Sequence, residues 1–252
     1  MKKYYTFDVL YFYMKNVELA TSIKTQFSTQ ETIKSGELVK YIAGIFPDLS
    51  KSTIAWKINQ LKSEKYIFQS GRGIYTFNFK PDFQPDLALK SKRIYNKFKS
   101  FANSDIVVWD TTMLDIILDC TSVKKSTFLL LQKDELTAVF EQAQSLSKPV
   151  FLEPSAEIIQ RYILPQNETI ILNSLISETP LQNCGDYLVP TIEGVLVNAW
   201  LISESFLEPM KYSIENIYKK AFEKYNVNTK KLLRYASRRD QKKEIEQLLQ
   251  KL

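Results

Sequence analysis

The stretch from Ser50 to Asn78, SKSTIAWKINQLKSEKYIFQSGRGIYTFN, restricts the fold more than any other part of this chain. The Ser50 hydroxyl suits a helix start, where it accepts from a free backbone N–H of the first turn. Leu49 and Ile54 stand at the two positions of a hydrophobic staple around that start. Ile54, Ile58 and Leu61 recur at helical spacing and make one apolar stripe. Ser52, Trp56, Asn59 and Ser63 fall on the opposite face, with Thr53, Lys57 and Gln60 on its flank. Short hydrogen-bonding side chains plus a cation are what a helix needs to meet base edges and phosphates. Residues 66–69 and 74–77 then form two β-prone runs joined by Ser70-Gly71-Arg72-Gly73. That pattern predicts a hairpin with Arg72 pushed out at its tip between two permissive glycines. A capped helix followed by a basic-tipped hairpin is the order of a winged helix-turn-helix. The plainer alternative is a helix and hairpin packed for stability alone.

The preceding segment extends the pattern. Leu19, Ile23 and Phe27 predict a helix over 17–27, residues 32–36 read as a turn, and Leu38, Ile42 and Ile45 line a second helix over 37–46. Pro47-Asp48 ends that helix and makes the tight turn before Ser50. Helix, turn and capped second helix is the order in which the second helix enters a major groove. Residues 4–15 are aromatic-rich without a clear period, and read either as an arm packed on this domain or as cover for a dimer interface. Trp56 on the outward face would contact sugar or a thymine methyl in one reading. Packing on a neighbouring helix or the wing is the commoner fate of such a residue.

A chain of 252 residues holds two domains. The division expected is a winged helix-turn-helix DNA-binding domain over 1–80, a linker helix over 81–104 and an α/β domain over 105–252. Lys+Arg against Asp+Glu runs 17 to 8 over residues 1–100, 5 to 14 over 101–205 and 12 to 6 over 206–252. Basic ends around an acidic middle suggest different partners for different parts, and a basic first third suits a polyanion. The chain has no histidine, which removes Ser-His-Asp and Cys-His nucleophiles, His-ligated zinc and imidazole acid–base work. Cys120 and Cys184 are too few for a zinc site or a disulfide framework. No apolar run approaches the ~20 residues of a membrane span, and the start lacks a secretory signal. The expected place is therefore the cytoplasm, with no membrane partner, cofactor or metal.

In the second half, strands are expected over 106–109, 126–132, 150–152 and 169–175, with helices over 111–118, 133–147 and 191–202. Helices over 212–225 and 229–252 close the chain. The fold class is thus α+β, with a winged helix followed by a small mixed sheet. Asp110 at a strand end, before the strand 128–131, is laid out like a degenerate restriction-endonuclease core. Such enzymes need an acid two residues before a lysine on the next strand, and here Leu131 precedes Lys133. A metal-dependent nuclease using Asp110 is therefore an alternative, as is an interaction module whose acidic middle docks a basic protein. Lys230, Lys231, Arg234, Arg238 and Arg239 form a basic amphipathic helix end, read as a DNA or acidic-partner contact or as a solvated face.

The run S-x-S-T-I-x-W-x-I-N-x-L at 50–61 and G-R-G-I-Y at 71–75 resemble the winged helix of AbiEi-type antitoxins. So do V-V-W-D-T at 107–111, V-F-L-E-P-S at 150–155, P-T-I-E-G-V-L-V at 190–197 and L-L-R-Y-A-S-R-R at 232–239. The resemblance implies a two-domain regulator of a type IV toxin–antitoxin (abortive infection) system. Its N-terminal domain would bind double-stranded operator DNA and repress the operon. Its C-terminal domain would counter a nucleotidyltransferase-like toxin. Residues 128–132 and Asn198 lack the acids that family members carry there, which weakens any catalytic role carried over. The DNA-contact residues expected are Ser50, Lys51, Ser52 and Thr53 on phosphates, Lys57, Asn59 and Gln60 on bases or backbone, and Arg72 in a minor groove.

Overall fold

The computed structural model describes residues 16–122 and 124–252, so the aromatic stretch 4–15 and the packing expected of it lie outside the described residues. The chain divides into two compact units, Met1–Lys80 and Pro81–Leu252.

In the first unit, α1 (16–26) precedes a short strand β1 (Ile33–Lys34), α2 (Ser35–Ile45) and α3 (Lys51–Ser63). The hairpin β2 (Phe68–Gly71) and β3 (Ile74–Thr76) follows. The three strands form an antiparallel sheet in the order β1-β3-β2, with Ile33 opposite Tyr75. Three helices closed by such a sheet make a winged helix. Leu19, Ile23, Leu38, Ile42, Ile54, Ile58 and Leu61 share one core with Ile33 and Ile67. Each buried aliphatic side chain there contributes about 1.5–3 kcal/mol.

Two expectations are corrected in this unit. The predicted turn at 32–36 is instead β1 followed at once by the start of α2. Two residues are too few to show alternation, and only pairing with the distant β3 makes them a strand. Ile45, expected inside, is 40% exposed, because α2 ends there and the chain turns away through Pro47.

The second unit opens with α4 (Leu89–Lys99), read from the sequence as part of a linker; its Tyr95 and Phe98 sit in this unit's core. There follow β4 (Val107–Asp110), α5 (Thr112–Leu118), β5 (Lys125–Leu131), α6 (Leu136–Ala143), β6 (Val150–Leu152) and a one-turn α7 (Ala156–Ile158). A π-helical turn (Ile159–Ile163) leads to β7 (Glu168–Ser174). The sheet order is β4-β5-β7-β6, with β4 antiparallel to β5 and the other pairs parallel. It is the small mixed sheet expected. Trp109 stacks on Phe128 across the β4–β5 pair at 4.3 Å between ring centroids.

A hairpin that sequence reading missed, β8 (Leu181–Cys184) and β9 (Tyr187–Pro190), comes next. Its two-residue Gly185-Asp186 loop was the signal, with Gly185 at φ +60°. Helix α8 (Ile192–Leu201) is buried on all sides from Ile192 to Ala199, and α9 (Ile214–Lys224) and α10 (Thr229–Arg238) pack on it. The single closing helix expected over 229–252 is two, α10 and α11 (Lys242–Leu249). Asp240 takes a left-handed conformation at φ +56°, and Gln241 N–H returns to Ala236 O at 2.9 Å, which stops α10 without glycine or proline.

Candidate nucleic-acid interface

The site is built on the start of α3. Ser50 lies in extended backbone, and its Oγ accepts from the Thr53 N–H at 3.1 Å. The Ser52 and Thr53 hydroxyls approach the same oxygen at 2.7 and 2.8 Å. The Ser50 hydroxyl is therefore engaged in the cap, and Ser50, Lys51 and Ser52 are all exposed at this helix start. Unpaired N–H groups and aligned peptide dipoles make this helix start attractive to an anion.

Along the outer face, Lys51, Ser52, Ala55, Trp56, Asn59 and Ser63 are exposed. Trp56 is 49% exposed, so the packing favoured for it covers only part of the ring. Ala55 also lies on this face, and its small side chain leaves room beside Trp56 for a close approach.

Two expected contact residues stand elsewhere. Lys57, placed on the flank by its spacing, is 9% exposed, with its ammonium 5.6 Å from the centre of the Phe46 ring. The long side chain is thus covered while the face of the Phe46 ring takes the charge. Gln60 is half-buried, and its Oε1 accepts from Asn16 Nδ2 at 3.3 Å. Asn16 also donates to Glu64 Oε1 at 3.1 Å, linking α1 to the end of α3. Thr53 is half-buried. Of the base-reading candidates, Asn59 alone lies on the exposed face.

The hairpin tip carries Arg72, which is exposed, next to Gly73 at φ +69°. Gly73 O accepts from Ser35 N–H at 2.7 Å, which anchors the tip to α2. Lys62 Nζ donates to Gln69 Oε1 at 2.7 Å, and Gln69 Nε2 donates to Gly71 O at 3.2 Å. Helix α3 and the wing are thus tied within one unit. No acidic residue occurs between Lys51 and Ser63, and residues 1–80 carry 12 Lys+Arg against 6 Asp+Glu.

Three buried acids of the second unit, Asp110, Asp115 and Glu193, each accept hydrogen bonds from neighbouring groups, while the second carboxylate oxygen of Asp110, Oδ2, is buried without a partner. Asp110 is 1% exposed, and its Oδ1 accepts from the Thr112 N–H at 3.0 Å and from the Thr112 hydroxyl. Asp115 accepts from the Tyr212 hydroxyl at 2.5 Å and from Ser122 N–H and Oγ at 3.1 and 3.0 Å. Burial and the Asp115 hydrogen bond together push the Tyr212 phenol well above its ordinary range. Glu193 accepts from Asn228 N–H at 2.9 Å and faces Lys231 at 3.6 Å, joining the starts of α8 and α10. Among the described residues, no group of three or more His, Cys, Asp or Glu side chains has the arrangement to hold a metal ion. In the basic α10 cluster, Arg234 lies 3.9 Å from Glu178 and Arg238 Nε donates to Ser177 Oγ at 3.1 Å. None of the described helices is long and apolar enough to cross a membrane.

A family model described as a family of unknown function (DUF6577) matches residues 53–252. The match begins in the first turn of α3 and takes in the wing and the whole second unit. No curated protein and no solved structure matches the chain.

Proposed function

The chain belongs to this family of unknown function (DUF6577), whose membership brings no activity with it, and we propose that the protein is a DNA-binding transcriptional regulator of antitoxin type. The observation that carries this reading is the acid-free outer face of α3, presented with the exposed Arg72 wing tip in one winged helix. A major groove admits such a helix, and the wing then reaches the adjacent backbone or minor groove. Lys51, Ser52 and the α3 start grip phosphate, Asn59 meets base edges, and Arg72 grips the duplex beside them.

The resemblance of six short motifs to AbiEi-type antitoxins supports the finer reading: autorepression, and a second unit that counters a nucleotidyltransferase-like toxin. The test is a reporter driven by the DNA upstream of the chain's own gene. Repression by the full chain, relieved by Asn59→Asp with Arg72→Ala, is the expected result. Equal reporter output with and without the wild-type chain contradicts a regulatory role. Co-expression with the product of the adjacent reading frame tests the antitoxin part separately.

A further inference from the structure

The outer face of α3 also carries information about which sequence it reads. We infer that this face selects A·T-containing major-groove sites, with Asn59 on adenine and Trp56 with Ala55 on thymine methyl groups. The inference rests on the proposed DNA-binding reading and deepens it.

Each base presents different chemistry in the major groove. Guanine is read by a bidentate Arg or Lys, adenine by Asn or Gln, and thymine by apolar contact with its C5-methyl. The side chains of the exposed face sort under this code. Asn59 is the one exposed amide there, and it offers a donor and an acceptor side by side. Ala55 and the half-exposed Trp56 ring form an apolar surface one turn before it. Ser52 and Ser63 are compatible with any base.

The groups that would read guanine are placed elsewhere. Between Lys51 and Ser63 there is no arginine. Lys57 is buried with its ammonium against Phe46, and Lys62 donates to Gln69 of the wing. Lys51 stands at the helix start among the hydroxyls of Ser50, Ser52 and Thr53, where phosphate is the favoured neighbour. A G·C pair facing the middle of α3 would meet Trp56 and Ala55, leaving its polar edge without partners. An A·T pair would offer a methyl to that surface and the N6/N7 edge to Asn59.

The experiment is an anisotropy titration of the full chain at one fixed salt concentration against labelled duplexes of equal length. One duplex is all A·T, one is all G·C, and two further A·T duplexes carry deoxyuridine for thymidine or 7-deazaadenine for adenine. The A·T duplex is expected to bind roughly tenfold or more tightly than the G·C duplex. Removing the thymine methyl should weaken wild-type binding several-fold but leave Trp56→Ala unaffected. Removing adenine N7 should do the same for wild type and leave Asn59→Ala unaffected. Both base changes act in the major groove only, so a general A·T preference of Arg72 in the minor groove does not imitate them. Equal affinity for all four duplexes overturns the inference while leaving DNA binding intact. Binding to none of them, even at low salt, overturns the DNA-binding reading and this inference with it.

Discussion

Lys62 Nζ donates to Gln69 Oε1 across 2.7 Å, from the last turn of α3 to the first strand of the wing. Together with the Ser35 N–H donating to Gly73 O at the tip, this bond ties the hairpin to α2 and α3. On the proposed DNA-binding reading, both contact elements are already joined before a duplex arrives, which lowers the cost of ordering.

Arg72 is the cation at the wing tip, exposed and contributing nothing to the core. Arg72→Ala should weaken duplex binding and reduce the slope of log affinity against log salt by about one unit. A salt-series titration checks it; an unchanged slope would remove the wing from the contact.

Ser50 contributes to stability through its cap on α3. Ser50→Ala leaves the Thr53 N–H without its acceptor and should cost about 1 kcal/mol, while Ser50→Asp retains the cap. Hydrogen exchange at the Thr53 amide reads this directly. Protection unchanged in the alanine variant would mean that the cap is not formed.

Gly194 permits the close approach of α8 to the segment before it. A Cβ there would lie 2.8 Å from Pro190 Cβ and 3.0 Å from Pro180 O, and that carbonyl is held by Thr191 N–H at 2.8 Å. Gly194→Ala should destabilise the second unit by about 1–3 kcal/mol, read as a lower urea midpoint. A midpoint equal to that of the wild type would show that the contact relaxes freely.

Partial desolvation of the exposed side chain, and after it the Asp115 carboxylate, push the Cys120 thiol above its ordinary range. Both favour the neutral form, so the reactive thiolate gathers only at more alkaline pH. Alkylation of Cys120, followed by mass spectrometry across a pH series, should reach half its maximal rate at a higher pH than that of a free thiol in the same buffer, and Asp115→Asn should bring that midpoint down. A midpoint below that of an ordinary thiol contradicts the arrangement.

What was legible in the sequence was local. The cap at Ser50, the stripe of Ile54, Ile58 and Leu61, the glycine-flanked tip at Arg72 and the four apolar strands each announce themselves within a dozen residues. What was not legible depends on distant partners. Ile33 becomes a strand only opposite Tyr75. Gln60 turns to Asn16, 44 residues earlier, and Lys57 is drawn to Phe46 of the preceding helix end. A helical wheel gives these two side chains their angle, but not the neighbours that take them off the outer face. The end of α10 at Asp240 was hidden for another reason: a non-glycine residue adopts the left-handed conformation there.

The measurement that tests the central claim most directly is the affinity of the full chain for its own upstream duplex across a salt series, with wild type and Asn59→Asp side by side. Asn59 is exposed and outside the core, so the variant changes only the charge that α3 presents to a groove. The account predicts wild-type binding that falls steeply with salt, and loss of at least tenfold in affinity for the variant. Equal binding by the two chains, or no duplex bound by the wild type at low salt, would contradict it.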